Sequence, residues 1–146
     1  MPIFLLIRHG ENDYVKQGKL AGRLPGVHLN ETGRQQATRL VENLSKAPLK
    51  AIYSSPLERA LEPAAPLAQA RGLEIQVRPG LLETDIGGWT DMPLKALRRT
   101  RQWKTVQLAP SRFRFPGGET FAESQQRVVN ELEALCLLHA SKDLVA

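Results

Sequence analysis

Arg8, His9 and Gly10 follow directly on five apolar residues, Ile3 to Ile7, in the stretch IFLLIRHGEN. An imidazole in this position can act as a nucleophile toward phosphorus. Arg8 beside it carries a planar fork of donors that matches phosphate oxygens. Gly10 lets the backbone turn sharply and come close to a ligand. A histidine after a buried strand is also a common structural residue, and it is the arginine and glycine on either side that favour chemistry. A second arginine, Arg59, stands in SSPLERA. Taken singly it is a helix-surface cation. Converging with Arg8 it would be a second clamp on the equatorial oxygens of a phosphoryl group in transfer.

The loop LLETDIGGW carries Glu83 and Asp85. It is either an exposed acidic loop or the source of a general acid, Glu83, that protonates a leaving oxygen. Leu81, Leu82 and Trp89 are expected to wall in that carboxyl, and apolar surroundings favour the protonated form of an acid. Walker motifs, Cys/His metal clusters and a GxSxG elbow are lacking in the sequence. Covalent phosphoryl transfer without a metal or other cofactor is the chemistry these residue types leave.

The elements that must position these groups alternate. Ile3 to Ile7 reads as a strand buried on both faces of a parallel sheet. Asn30 to Lys46 reads as a helix, with Ala37, Leu40, Val41 and Leu44 on one face. Ala51 to Ser55 and Leu73 to Val77 read as strands. Pro63 and Pro66 argue for a broken or late helix between them, because each removes an amide donor. One short helix is expected near Leu94 to Trp103. A long helix follows Thr120, whose pairing with Glu123 is a capping-box pattern; its stripe is Phe121, Gln125, Val128, Leu132, Leu135 and His139. DLVA looks like a fourth strand beginning. This alternation predicts an α/β fold, a three-layer α/β/α sandwich with a mainly parallel sheet. Ligands of such sheets lie beyond the carboxyl ends of the strands, where Arg8–His9 and Ser54–Ser55 stand.

The chain has 146 residues, 42% of them hydrophobic and 24% charged, which suits one domain spanning residues 1–146. Its apolar runs fall well short of the ~20 residues that cross a bilayer. The short run before Arg8 lacks the basic start of a signal segment. A cytoplasmic protein with no membrane partner is the expectation. The single Cys136 lies in an apolar helical pattern and reads as a core residue. The formal charge of +5 favours anionic ligands. The only dense basic run, Leu97 to Arg101, has no interleaved aromatics, so it reads as a solvated helix face rather than a nucleic-acid platform.

The blocks LIRHGEN, LAGRLPGVHLNETGRQQA, IYSSPLERA, LLETDIGGW and FPGGETFAESQQRV occur here in the order seen in the histidine phosphatase (phosphoglycerate mutase-like) superfamily. Within it the chain most resembles the small bacterial broad-specificity phosphatases and phosphomutases. The resemblance implies His9 as the phosphorylated nucleophile, Arg8 and Arg59 as the phosphate clamp, and Glu83 as proton donor. It implies that Gly10 to Val15 cradle the phosphate, with Asn12 standing in for an asparagine that Val15 replaces. Arg23 would touch the rest of a small phosphorylated substrate, and the segment to Gly118 would form a lid. His28 is weighted as a surface residue and His139 as a helix-end residue. Pro63 departs from the family pattern and should alter the helix behind Arg59. The family's second catalytic histidine follows the last main strand. No histidine of this chain stands in that context, so the sequence reads as a fragment of impaired activity whose parent is a phosphomonoester hydrolase. A phosphomutase and a non-catalytic phospholigand-binding module are the alternatives.

Overall fold

The computed structural model describes residues 1–146. Leu49–Ser54 forms strand β2, in which Leu49, Ala51, Ile52 and Ser54 are all buried. Such double-faced burial marks an interior strand. With β1 (Ile3–Phe4), β3 (Ile75–Val77) and β4 (Leu144–Val145) it makes an all-parallel sheet of order β1-β4-β2-β3. Register is fixed by Ile52 opposite Ile75, and by Leu144 lying between Ile3 and Leu49. The α/β reading of the sequence holds.

The first strand differs from its expectation. Its last bond to β4 runs from Leu5 N–H to the Val145 carbonyl, and Ile3, Leu6 and Ile7 are exposed, Leu6 to 79%. The cause is position: β1 lies at the sheet edge, with β4 as its one partner. An apolar cleft of about 350 Å³ lies between Leu5–Ile7 and Tyr53–Ser55.

Helix α1 (Asp13–Gln17) is a short turn capped by Asn12, and α2 (Glu31–Asn43) is capped by Asn30. α2 presents Ala37, Leu40 and Val41 inward and packs against α3 (Glu58–Arg71). Leu49, Ile52, Leu67 and Ala68 close the core of this layer. The expected break in α3 does not occur: one continuous helix contains both Pro63 and Pro66. Each proline removes one amide donor, at about 3 kcal/mol. Burial of Pro63, Leu67 and Ala68 against β2 and α2 offsets that loss.

A second core holds the segment between β3 and the last helix. Ile86, Trp89, Leu97, Phe113 and Phe115 pack together, with ring centroids of Trp89 and Phe113 5.2 Å apart. The single helix expected at Leu94–Trp103 is two, α4 (Leu94–Leu97) and α5 (Arg101–Leu108), because the Thr100 hydroxyl caps a new start by accepting from Trp103 N–H. The last helix, α6 (Phe121–Leu138), opens on the expected capping box of Thr120 and Glu123. On its inner face Ser124 is buried and Gln125 is exposed, a one-residue correction to the predicted stripe.

Candidate active site

The buried β2 ladder ends at Ser54, and the chain re-enters helix at Glu58. Arg59 therefore sits in the first turn of α3, beside the strand end. It is 2% exposed. Its Nη2 donates to the Gly22 carbonyl, while its Nη1 is buried with no partner at all. Buried donors in folded proteins are nearly always bonded, so this nitrogen marks a place for an acceptor. Burial pushes the Arg59 pKa down, and the charges of Glu83 and Glu58 push it back up.

Arg8, His9, Asn12, Arg59 and Glu83 line one cavity of about 220 Å³, completed by Tyr14, Val15, Lys19, Leu20, Ala21, Gly22 and Ile86. The same Arg8, His9, Arg59 and Glu83 also border the apolar cleft, so the two spaces meet at these groups. His9 Nδ1 lies 2.8 Å from the Gly10 carbonyl. A carbonyl can only accept, so Nδ1 carries the proton and Nε2 of the neutral ring keeps its lone pair. Gly10 works differently from its reading as a ligand approach alone. A Cβ there would meet the Gly33 carbonyl at 2.9 Å, so the glycine lets the loop rest on α2.

Asn12 is 1% exposed, and its Oδ1 accepts from Val15 N–H as the cap of α1. Val15 stands half exposed on the cavity wall. Glu83 is exposed, and Trp89 is turned into the second core rather than against it, so the expected apolar enclosure is absent. Its carboxylate accepts from Thr84 N–H.

Arg23 does not line the cavity. Its Nε donates to the Glu83 carbonyl at 2.7 Å and its Nη2 to Glu119 at 2.8 Å. The guanidinium is engaged by the protein itself, which corrects its reading as a substrate contact. His28 is exposed and bonded to Glu62, and His139 caps α6 with Nε2 2.8 Å from the Tyr53 hydroxyl.

Glu119 and Arg127 escaped the sequence reading. Arg127 lies on the inner face of α6 and bonds the carbonyls of Gly80, Leu82 and Glu83 as well as Glu119. The available signal was a lone cation three residues after Ser124, at helical spacing on an otherwise inward face. The Arg127 guanidinium holds the Glu119 carboxyl far below its usual range, at about 2. No group of three or more His, Cys, Asp or Glu side chains is arranged to hold a metal ion.

The sequence matches the profile of the histidine phosphatase superfamily (branch 1) over residues 4–146. The chain belongs to this superfamily. Among curated relatives of this histidine phosphatase chain, phosphoserine phosphatase 1 of Hydrogenobacter thermophilus is 32% identical, over 97% of this chain and 67% of the relative. Among solved structures, YhfR of Bacillus stearothermophilus superposes with a TM-score of 0.89 at 28% identity, covering 99% of this chain and 73% of that one. A phosphoserine phosphatase of Entamoeba histolytica, solved with 3-phosphoglyceric acid, gives 0.87 at 28% identity, covering 99% and 72%. The histidine phosphatase chain described here thus spans roughly two thirds to three quarters of these proteins.

Proposed function

We propose that this chain supplies the phosphoryl-transfer site of a phosphomonoester hydrolase that works through a phosphohistidine at His9. The observation that carries the reading is the unpaired Nη1 of buried Arg59, a residue that borders the cavity His9 and Glu83 also line. Arg8 has no protein partner and completes the clamp from the opposite strand end. The Asn12 amide nitrogen, left free when Oδ1 caps α1, adds a neutral donor.

In this cycle the His9 Nε2 lone pair attacks phosphorus in line. The P–O bond to the leaving group breaks, and Glu83 gives its proton to the departing oxygen. Water then attacks phosphorus, the P–N bond to His9 breaks, and the Glu83 carboxylate takes the water's proton. Inorganic phosphate leaves and both groups return to their starting states. Arg8 and Arg59 stabilise charge on the equatorial oxygens. A small soluble phosphate ester suits the cavity volume, and a cytoplasmic site without nucleic-acid or membrane partner fits the reading. No helix is long and apolar enough to cross a membrane.

The test is a chromogenic phosphate ester with a single-turnover quench. An acid-labile, base-stable phosphoprotein that disappears in His9→Ala is expected. Turnover that persists in His9→Ala would remove the reading, and phosphate binding without any adduct would favour a non-catalytic module.

A further inference from the structure

Glu83 is held unusually firmly for an exposed loop residue. Arg127 Nη1 donates to the carbonyls of Gly80 (2.9 Å) and Leu82 (2.7 Å), and its Nη2 reaches the Glu83 carbonyl at 3.3 Å. The same Glu83 carbonyl accepts from Arg23 Nε at 2.7 Å. Glu119 bonds both guanidinium groups and accepts from Asp85 N–H at 3.0 Å, while its own N–H donates to the Asp85 carbonyl at 2.8 Å. The Thr84 hydroxyl, one residue on from Glu83, lies 2.8 Å from Ser124 Oγ on α6. Backbone groups on both sides of the carboxyl are thus fixed to α6 and to the Arg23 loop, while the carboxyl itself is held only by Thr84 N–H in a residue that borders the cavity.

We infer that Arg127, Glu119 and Arg23 are positioning residues that set Glu83 for proton delivery to the leaving group. The inference rests on the reading of Glu83 as proton donor. Arg127 bonds through all three of its guanidinium nitrogens. A lysine carries fewer donors at a single point and cannot span these acceptors. None of the three residues contacts the phosphoryl hollow, so their loss should spare attack by His9 and impair only protonation.

That separation is measurable through the leaving group. An alkoxide must be protonated as it departs, whereas an electron-poor phenolate leaves well without a proton. The 146-residue chain and its Arg127→Lys, Arg127→Ala, Glu119→Gln and Glu83→Gln variants would be compared in single-turnover transfer to His9, from an alkyl phosphate and from p-nitrophenyl phosphate. For Glu83→Gln the alkyl ester should lose about a hundredfold or more, and the nitrophenyl ester far less. Arg127→Ala and Glu119→Gln should show the same selective loss, about tenfold to a hundredfold for a misplaced group, with Arg127→Lys between them and wild type. Amide hydrogen exchange at Leu82 to Asp85 should accelerate in the same order.

Equal losses on both esters in the Arg127 and Glu119 variants, with a selective loss in Glu83→Gln, overturn the positioning role alone. A Glu83→Gln variant without leaving-group selectivity overturns the proton-donor reading and the positioning role with it. Should transfer in wild type be too slow to compare, unchanged exchange at Leu82 to Asp85 in Arg127→Ala overturns the clamp, and accelerated exchange confined to that segment supports it.

Discussion

Arg59 is a side chain whose burial is costly to the fold at the wall of the candidate site. Its Nη1 is buried without a partner although Nη2 bonds the Gly22 carbonyl, and a buried donor left unpaired costs about 1–3 kcal/mol. Replacing it with an apolar residue of similar length should relieve that cost. We expect Arg59→Met to melt at or above the wild-type temperature in phosphate-free buffer. Inorganic phosphate should raise the melting temperature of wild type by mass action and leave Arg59→Met unmoved. Thermal scans with and without phosphate check this, and an equal phosphate shift in both proteins would contradict it.

Glu119 gives a pH dependence of definite sign. Its folded pKa is about 2, below its unfolded value, chiefly because Arg127 bonds the carboxylate. The stabilisation is complete above the unfolded value, about 4.3, and is lost as pH falls from there toward 2. Glu123, half exposed and held by Arg114, shifts the same way. Melting temperature should therefore be flat above about pH 5 and decline below it, and Glu119→Gln should flatten that decline more than Glu123→Gln does. A decline unchanged in Glu119→Gln, followed by circular dichroism, would assign the acid loss elsewhere.

Among the elements, α6 links the long-range architecture to the Gly80–Glu83 loop. Its capping box begins one residue after Glu119, and Arg127 lies two turns further along the inner face. Thr120→Ala removes the hydroxyl that accepts from Glu123 N–H and should cost about 1 kcal/mol in denaturant unfolding. Leu135, 1% exposed on the same helix, anchors its far end, and Leu135→Ala should cost about 2–5 kcal/mol. A smaller loss at Leu135 than at Thr120 would mean the helix is held mainly by its start.

Elements were legible in the sequence wherever local chemistry decided them. Thr120 caps its helix as its pairing with Glu123 requires, and the apolar spacing of α2 faces the core, although Asn30, read as helical, is its cap. Two element-level readings failed where packing overrode local preference. Pro63 and Pro66 stay inside one helix because α3 is held along its length by α2 and β2. Leu94 to Trp103 splits in two because Thr100 caps a second start and Leu97 is drawn into the aromatic core.

At the scale of the whole molecule, the sheet and the aromatic segment have separate cores that share no buried residue. The site lies where they meet, with His9, Arg8 and Arg59 from the sheet side and Glu83 from the loop that leads into the aromatic core. Beside it the apolar cleft leaves Leu6 79% and Ile7 42% exposed, and neither Ile7 N–H nor Ser55 N–H has an acceptor. Contiguous exposed apolar surface of this kind takes up apolar probes. An environment-sensitive naphthalene dye should bind this chain in its folded state, and Leu6→Glu should abolish most of the signal. Undiminished fluorescence in Leu6→Glu would place the dye elsewhere.

The residue types alone pointed to the chemistry proposed for this chain: an imidazole flanked by an arginine and a glycine, a second arginine after a strand, and a carboxylate in a glycine-bearing loop. Those signals are local, because strand ends, caps and glycines are set by neighbours in sequence. Tertiary structure alone decided how the groups are used. Arg23 looked like a substrate contact and instead bonds Glu83 and Glu119, more than fifty residues away. Arg127 carried no local motif, yet it gathers carbonyls from Gly80 to Glu83 because helix and loop meet only in the folded chain. Side-chain partners at that separation are chosen by packing, which no local pattern of residues encodes.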